Sequence, residues 1–585
     1  MNDRPQPSAD SEQHHTERVV GLLLCFAALS LDFWSGFFPI RSCNDPWWHL
    51  KTGKVLAEYM GEHGLAFPPT DVFTLTGGNV PWVNHEWLAD LGLYGLYALG
   101  GLQLCIVVKS LILAAVGLVI ILTLRGEGCG LGWGAVGGLF AILVGQTTLY
   151  LRPPILTYLF LVVFVWVLRQ FPRRPRQFTV LLVALEVLWV NLHGGAVLGV
   201  LLCGFYLVER LWIWLAVRWG IETAEQPFLG GALCCFALVC LASLVNPWGY
   251  EIHLLPGKVL GDDWLVSRLG ELAPPDLRRA VGLSFLLCGF LLVPFLKGPS
   301  IGLFRTLTLL FFGYQAFLYM RQIPLFGLVA VPVLVERLDA SNRWLADQLR
   351  SARPAVARRL GIIISETGAL FLFVFVGYFV GYNPPRVQGL WLSNWRDLPL
   401  LVEYGYRPAS FPEGAVNFLL YHKIPGPIMH NDNFAGYLIW RLSPEIMPVF
   451  TDTRFDLFGS RYVKEERAVV EVRDEPEGWY TDKGWLQAPE SDQRDPEFWR
   501  HVADAGADPE VTAWYRSGKP YWKWILEKYN INIIMVYCTY DPIDPYLRSG
   551  DRGWKPIYSR RQEGYEIYLA DRPENQPIFE RLGIK

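Results

Sequence analysis

The chain is polar up to Glu17 and turns apolar at Val19, and from there to residue 381 apolar runs alternate with short polar connections. Runs of about 17–25 such residues are what a helix needs to cross the hydrocarbon core of a bilayer. They lie near 19–38, 101–124, 131–149, 153–169, 178–192, 194–217, 228–246, 280–296, 301–319, 322–338 and 360–381. Asn383-Pro384-Pro385 closes the last run, because proline cannot continue a helix. Beyond it the pattern changes. Helical periodicity is expected over 414–422, 433–442 and 521–529, strands over 427–430, 447–451 and 531–537, and a hairpin from 554–559 and 565–570. The stretch 472–520 is charged and rich in Pro, Gly and Trp, and predicts irregular structure. The expected fold is a polytopic α-helical membrane protein of about 11 transmembrane helices with a C-terminal soluble α/β domain. Its parts are a tail over 1–18, a membrane domain over 19–381 with a large loop 39–100, and the soluble domain over 385–585.

Charge gives these spans a direction. The connections 169–177 (Arg169, Arg173, Arg174, Arg176), 210–218 (Arg210, Arg218) and 337–359 (Arg337, Arg343, Arg350, Arg353, Arg358, Arg359) are basic and fall on one side of the count. The positive-inside bias assigns that side to the cytoplasm, with the N-terminus, in a plasma (bacterial inner) membrane. Loop 39–100, Arg152, 191–195, 246–279, Arg321 and everything after residue 382 are then extracytoplasmic. Only 18% of the 585 residues are charged, against about 25% in ordinary soluble domains. The net charge of −3 excludes a nucleic-acid partner. The run from Val19 is too long for a signal-peptide core and lacks a small-residue cleavage site, so it reads as an uncleaved first span. Most cysteines lie inside spans. Cys43 and Cys538 are the pair left on the outer face, with no spacing that assigns a disulfide or a zinc site.

The chemistry-bearing residues gather on that outer face. Asp45-Pro46-Trp47-Trp48-His49 follows the first span, with Asp45 as N-cap and Pro46 at the first helical position. Trp48, Val55, Leu56 and Tyr59 fall on one face of this helix, a pattern suited to lying in the headgroup plane. Asp71 and then His85-Glu86-Trp87-Leu88 precede the next span. Arg152, Asn191-Leu192-His193-Gly194-Gly195, Asn246-Pro247-Trp248-Gly249 and Arg321 mark later turns. Ionisable groups at membrane depth are costly and usually mark sites.

The order of these elements resembles the GT-C superfamily of membrane glycosyltransferases. A first span, an Asp directly after it, a juxtamembrane helix, a long outer loop and a motif at re-entry carry the likeness. Asp45-Pro46-Trp47-Trp48-His49-Leu50, Asp71-Val72-Phe73, His85-Glu86-Trp87-Leu88, Arg152-Pro153-Pro154, Gly436-Tyr437-Leu438-Ile439-Trp440 and Asp452-Thr453-Arg454…Asp456-Leu457-Phe458-Gly459 are similar to a bacterial branch of it. The likeness implies inverting transfer of a sugar from a polyprenyl-phosphate lipid donor to an extracytoplasmic glycan, lipid or protein acceptor. It departs from the family where Pro46 replaces a second acidic residue, and where His85-Glu86 stands in place of a Lys before two prolines. The Trp-Trp-Asp-type acceptor motif is absent from the soluble part.

Such a reaction needs a base and groups that stabilise a leaving phosphate. Asp45, His49, His85 and Glu86 are the catalytic candidates. Arg152, Arg321, His193, Asn246 and Asp71 are the substrate-binding ones, the arginines through their planar forks. No metal site is assigned, a divalent cation is the one cofactor left open, and no organic cofactor is expected. Structural roles compete throughout. Asp45 reads equally as a helix cap, Arg152 as a snorkelling anchor, and His85-Glu86 as a cap or local pair. His193 reads as bonded locally beside two glycines, Asn246 as a turn residue, and Asp452 with Arg454 as a salt bridge. A non-catalytic membrane scaffold of the same fold is the alternative function. A transporter is disfavoured by the lack of a half-chain repeat, and a metal-dependent hydrolase by the lack of close ligand spacing.

Overall fold

A computed structural model describes residues 9–41, 43–221, 228–278, 280–352, 366–379, 390–481, 484–489, 491–538, 540–549 and 553–584. The chain divides into two compact units, 1–40 with 85–255 and 266–406, and 41–84 with 256–265 and 407–585.

The first unit is helical. Five described helices are long and apolar enough to cross a membrane: His15–Gly36, Trp87–Gly126, Pro154–Arg173, Pro175–Leu192 and Gly194–Arg218. Four further apolar helices, Leu131–Val144, Leu229–Ala242, Val281–Phe295 and Leu303–Leu318, coincide with expected runs but are shorter. At 1.5 Å per residue, a helix of 14 residues covers about 21 Å of a core roughly 30 Å thick. The run 322–338 is the first half of the Ile323–Ala352 helix, which continues through the stretch read as a basic loop. Of the run 360–381 only 366–379 is described, as the Glu366–Phe379 helix. Among the described residues, five of the eleven expected spans are thus matched by a helix long and apolar enough to cross a membrane. These apolar helices are consistent with insertion into a membrane.

Leu131–Val144 sits at the centre of this unit, with Gly132 to Val144 all buried. A helix that is apolar all round belongs in a core rather than on a surface. Small residues permit the close approach: a Cβ on Gly138 would lie 3.1 Å from the carbonyl oxygen of Gly117. Trp87–Gly126 is broken at Gly100-Gly101, where Gly101 takes φ 65°, a conformation open chiefly to glycine. The part before the break lies within the segment expected to be loop.

The second unit joins 41–84 to the C-terminal part. Its main sheet has strand order β1-β4-β6-β5, made of β1 (Ile428–His430), β4 (Ile533–Tyr537), β6 (Tyr565–Ala570) and β5 (Trp554–Arg560). β1 and β4 run parallel, and the other pairs antiparallel. β4 is buried because it is central, and Met429, Ile534, Val536 and Tyr568 share a core with Trp522, Ile525 and Leu526. Edge strand β5 carries Pro556, where the register shifts, as expected where a residue has no N–H to give. The strand expected over 447–451 is reduced to isolated bridges from Val449 to Thr74 and Ile428. The stretch 472–520 is more regular than its composition suggests, holding the hairpin β2 (Gly478–Thr481)–β3 (Gly484–Gln487) and the helices Pro496–Asp504 and Pro509–Ser517.

Candidate functional sites

In the second unit, the Asp45–His63 helix starts one residue earlier than expected. Asn44 occupies the cap position, Asp45 is the first helical residue, and Pro46 to Gly53 are buried. This half of the helix is enclosed by protein, contrary to a helix lying flat in the headgroup plane. Trp47 packs edge-on against Phe411 and Tyr437 at 5.3 and 5.2 Å. Asn44 joins two segments, its Oδ1 accepting from the Tyr437 backbone N–H (3.1 Å) and its Nδ2 donating to the Asp432 carbonyl (3.0 Å). Gly436 has to be small here, since a Cβ would meet the Asn44 carbonyl oxygen at 2.3 Å.

The half-buried Asp45 carboxylate is oriented by two donors. Trp48 Nε1 donates to Oδ1 at 3.4 Å, and the Thr453 hydroxyl donates to the same oxygen at 3.1 Å. Thr453 lies 408 residues further along the chain, within Asp452-Thr453-Arg454. His49 is 2% exposed and lies against the Trp48 ring. Arg454 beside it is 4% exposed and donates to both Asp452 and Asp71, at 2.6 and 2.7 Å. Trp48, Phe73, Trp82 and Phe458 surround its guanidinium at 5.1–5.9 Å, a cation–π environment. Burial alone would lower the Arg454 pKa, but the Asp452 and Asp71 carboxylates overcome this and push it up. Asp71, expected to bind substrate, is occupied structurally: it also accepts from the Thr74 backbone N–H and hydroxyl.

In the first unit three expected residues come together. Glu86 Oε1 lies 3.4 Å from His193 Nε2 and 3.8 Å from His85 Nε2. The Gly195 backbone N–H donates to His193 Nδ1 at 2.9 Å, and the Thr157 hydroxyl, which accepts from Trp189 Nε1, lies 2.8 Å from the same nitrogen. A ring nitrogen that accepts carries no proton, so the imidazole proton of His193 sits on Nε2 and faces Glu86. Gly195 is required, because a Cβ would lie 2.4 Å from Thr157 Oγ1.

Arg152 and Arg321 also share a site. Glu271 stands 3.3 Å from Arg152 and 3.7 Å from Arg321, and its carbonyl accepts from the Arg321 backbone N–H. Asn246 stands apart from both groups. Its amide donates to the Ser243 and Gly249 carbonyls, and its oxygen accepts from the Trp248 N–H, so it builds the turn.

Sequence reasoning missed Thr157 and Glu271, which carry no local signal. It also passed over Asp32 and Glu186, both 0% exposed and with carboxylate oxygens that have no hydrogen-bond partner among the described residues. Here a signal existed, a lone acid inside an apolar run. Each faces a glycine, Gly117 and Gly199, where a Cβ would come within 2.0 and 2.2 Å of the carboxylate. Cys43 and Cys538 are not disulfide-bonded. No family model matches this chain, and neither does any curated protein.

Proposed function

We propose that this chain is a membrane glycosyltransferase of the inverting kind, moving a sugar from a polyprenyl-phosphate donor to an extracytoplasmic glycan, lipid or protein. The observation that carries this reading is the half-buried Asp45 carboxylate, oriented by Trp48 and by Thr453 from a motif 408 residues away. A carboxylate fixed in position by neighbouring donors is suited to accept the acceptor's proton. His49 lines this carboxylate's helix, and in the first unit Glu86 with His85 and His193 forms a second ionisable group. Arg152 and Arg321 suit a lipid phosphate. The three basic connections support a cytoplasmic N-terminus and an extracytoplasmic C-terminal part in the plasma membrane.

One observation favours a non-catalytic scaffold instead: Glu271 already neutralises part of the arginine pair's charge. Transfer from a polyprenyl-phosphate sugar by the purified protein separates the two. Asp45→Asn keeps the size of the side chain and removes the base, so transfer falls by about 10²–10⁴-fold if Asp45 is the base. Full activity in a folded Asp45→Asn protein ends the enzyme reading as drawn and leaves the scaffold.

A further inference from the structure

β1 and β4 are neighbours that run parallel, so their carboxyl ends lie side by side. In open α/β sheets that edge is where ligands bind. Here it carries a ladder of tyrosines. Tyr537 ends β4, Tyr565 begins β6, and Tyr540 stands in the turn after β4. The Tyr537 ring lies 4.7 Å from the Tyr540 ring at an interplanar angle of 25°. It lies 5.1 Å from the Tyr565 ring at 22°. Exposure rises along the ladder, from 6% at Tyr565 to 69% at Tyr540. Phe434 backs the inner ring edge-on at 5.7 Å.

The turn beneath the outer ring is tightly held. The Tyr537 carbonyl accepts from the Tyr540 and Asp541 backbone N–H groups, each at 2.9 Å. The Asp541 carboxylate accepts from the Tyr537 N–H at 2.6 Å and from Asn431 Nδ2 at 2.8 Å. Gly564 makes room for the middle ring, because a Cβ there would lie 2.8 Å from Tyr537 Cε2. A row of amides then leads outward from Asp541. Asn433 Nδ2 donates to Asn431 Oδ1 at 2.6 Å, and Asn433 is exposed. The surface therefore presents a fixed aromatic face beside hydrogen-bonding groups. An exposed aromatic alone is ordinary. Tyr421, 83% exposed, meets His422 edge-on at 4.9 Å and has no such ladder behind it among the described residues.

We propose that Tyr540, stacked on Tyr537 and Tyr565, is the platform of a glycan-binding site, with Asn431 and Asn433 beside it for the sugar hydroxyls. The C–H face of a pyranose is apolar and weakly positive, which suits the negative face of an aromatic ring. Its hydroxyls need donors and acceptors at the rim of that ring, and amides offer both. A platform already fixed in place loses little freedom when the sugar binds. Asp541 acts electrostatically on Tyr537 and Tyr565. An acid there repels phosphate, so the ligand is a neutral sugar chain rather than a nucleotide stacked through its base. In the transfer proposed above, this site makes the acceptor a glycan. That extension rests on the transferase reading, whereas glycan binding does not.

The test uses the full-length protein in a detergent without a sugar headgroup, and no lipid donor. Tetrasaccharides of glucose, mannose, galactose or N-acetylglucosamine are titrated and followed by saturation-transfer NMR. The expected result is saturable binding of at least one of them, with saturation strongest on the C–H protons of one pyranose face. Tyr540→Ala should weaken that binding by about fivefold or more and leave the unfolding temperature unchanged, since the side chain is exposed. Tyr540→Phe keeps the aromatic face and should bind as wild type does. Asn433→Ala should weaken binding by about threefold. Wild-type protein that binds none of the four overturns the proposal. So does Tyr540→Ala that binds as tightly as wild type. Tyr540→Phe that binds as weakly as Tyr540→Ala places the affinity in the hydroxyl and overturns the stacking platform. A protein that binds an oligosaccharide yet transfers no sugar keeps this site and ends the enzyme reading alone.

Discussion

At the scale of single residues, Arg454 and Lys464 illustrate two outcomes of burying a cation. Arg454 has two carboxylates and four aromatic rings around it. Arg454→Ala leaves Asp71 and Asp452 buried without their partner, a loss of about 3–5 kcal/mol, read as a lower unfolding temperature of the second unit. Lys464 meets the Ser460 hydroxyl at 2.6 Å and the Trp264 ring at 5.0 Å. Burial pulls its pKa down to about 7, with Asp262 and Glu477 opposing the shift. The unfolded lysine holds its proton up to its ordinary value of 10.5. Between these two values the unfolded chain therefore binds more protons, and this residue makes stability rise with pH. Lys464→Met should remove that part of the rise between about pH 7 and pH 10. The check is the wild-type minus variant difference in chemical unfolding across that window; an unchanged difference refutes the shift. At this scale the sequence was legible for Asp45, His85, Glu86 and His193 as conspicuous residues, and silent on their partners. Thr453 and Thr157 act through contacts that no local pattern encodes.

At the scale of elements, close packing gives sharper tests than propensity. Gly436→Ala pushes a Cβ into the Asn44 carbonyl at 2.3 Å, and should cost about 1–3 kcal/mol by forcing the Asp45–His63 and Ala435–Leu442 helices apart. Gly61→Ala, in the same Asp45–His63 helix with nothing within 4 Å of the added Cβ, should instead stabilise by about 0.4–1 kcal/mol. Chemical unfolding of the two variants separates packing from backbone entropy, and similar behaviour refutes the packing account. Glu271→Gln should strengthen phosphate binding to the Arg152–Arg321 pair, measured by competition with a fluorescent phospholipid. The ion pairs it breaks are partly exposed and worth about 0–1 kcal/mol each. An unchanged affinity would show that Glu271 does not restrain the arginines. The helix-start signal itself was used unevenly. Asp495-Pro496 and Asp508-Pro509 carry the same pair as Asp45-Pro46, and both aspartates cap, accepting from Glu497 and Glu510 N–H at 2.9 and 2.8 Å. Composition hid these two helices inside 472–520, whereas at Asp45 the cap moved one residue upstream to Asn44.

At the scale of the whole molecule, the basic connections lead to a labelling test. Cysteines placed at Arg174 and Lys519, on a background with native thiols blocked, should react with an impermeant reagent from opposite sides of the membrane. Labelling of both from one side would remove the orientation on which the proposed function rests.

The sequence by itself determined where the long apolar helices lie, because run length depends on local composition and survives any packing. It determined where the small sheet forms, since β4 and the β5–β6 hairpin are β-branched or aromatic runs bounded by turns. Only the tertiary structure decided that 41–84 folds with the C-terminal part and that Leu131–Val144 is buried at the centre of its unit. It alone set Thr453 on Asp45, Glu271 between two arginines and a Gly195 N–H on His193. Those outcomes depend on contacts between residues far apart in the chain, whose energies exist only once the backbone has brought the partners within hydrogen-bond reach.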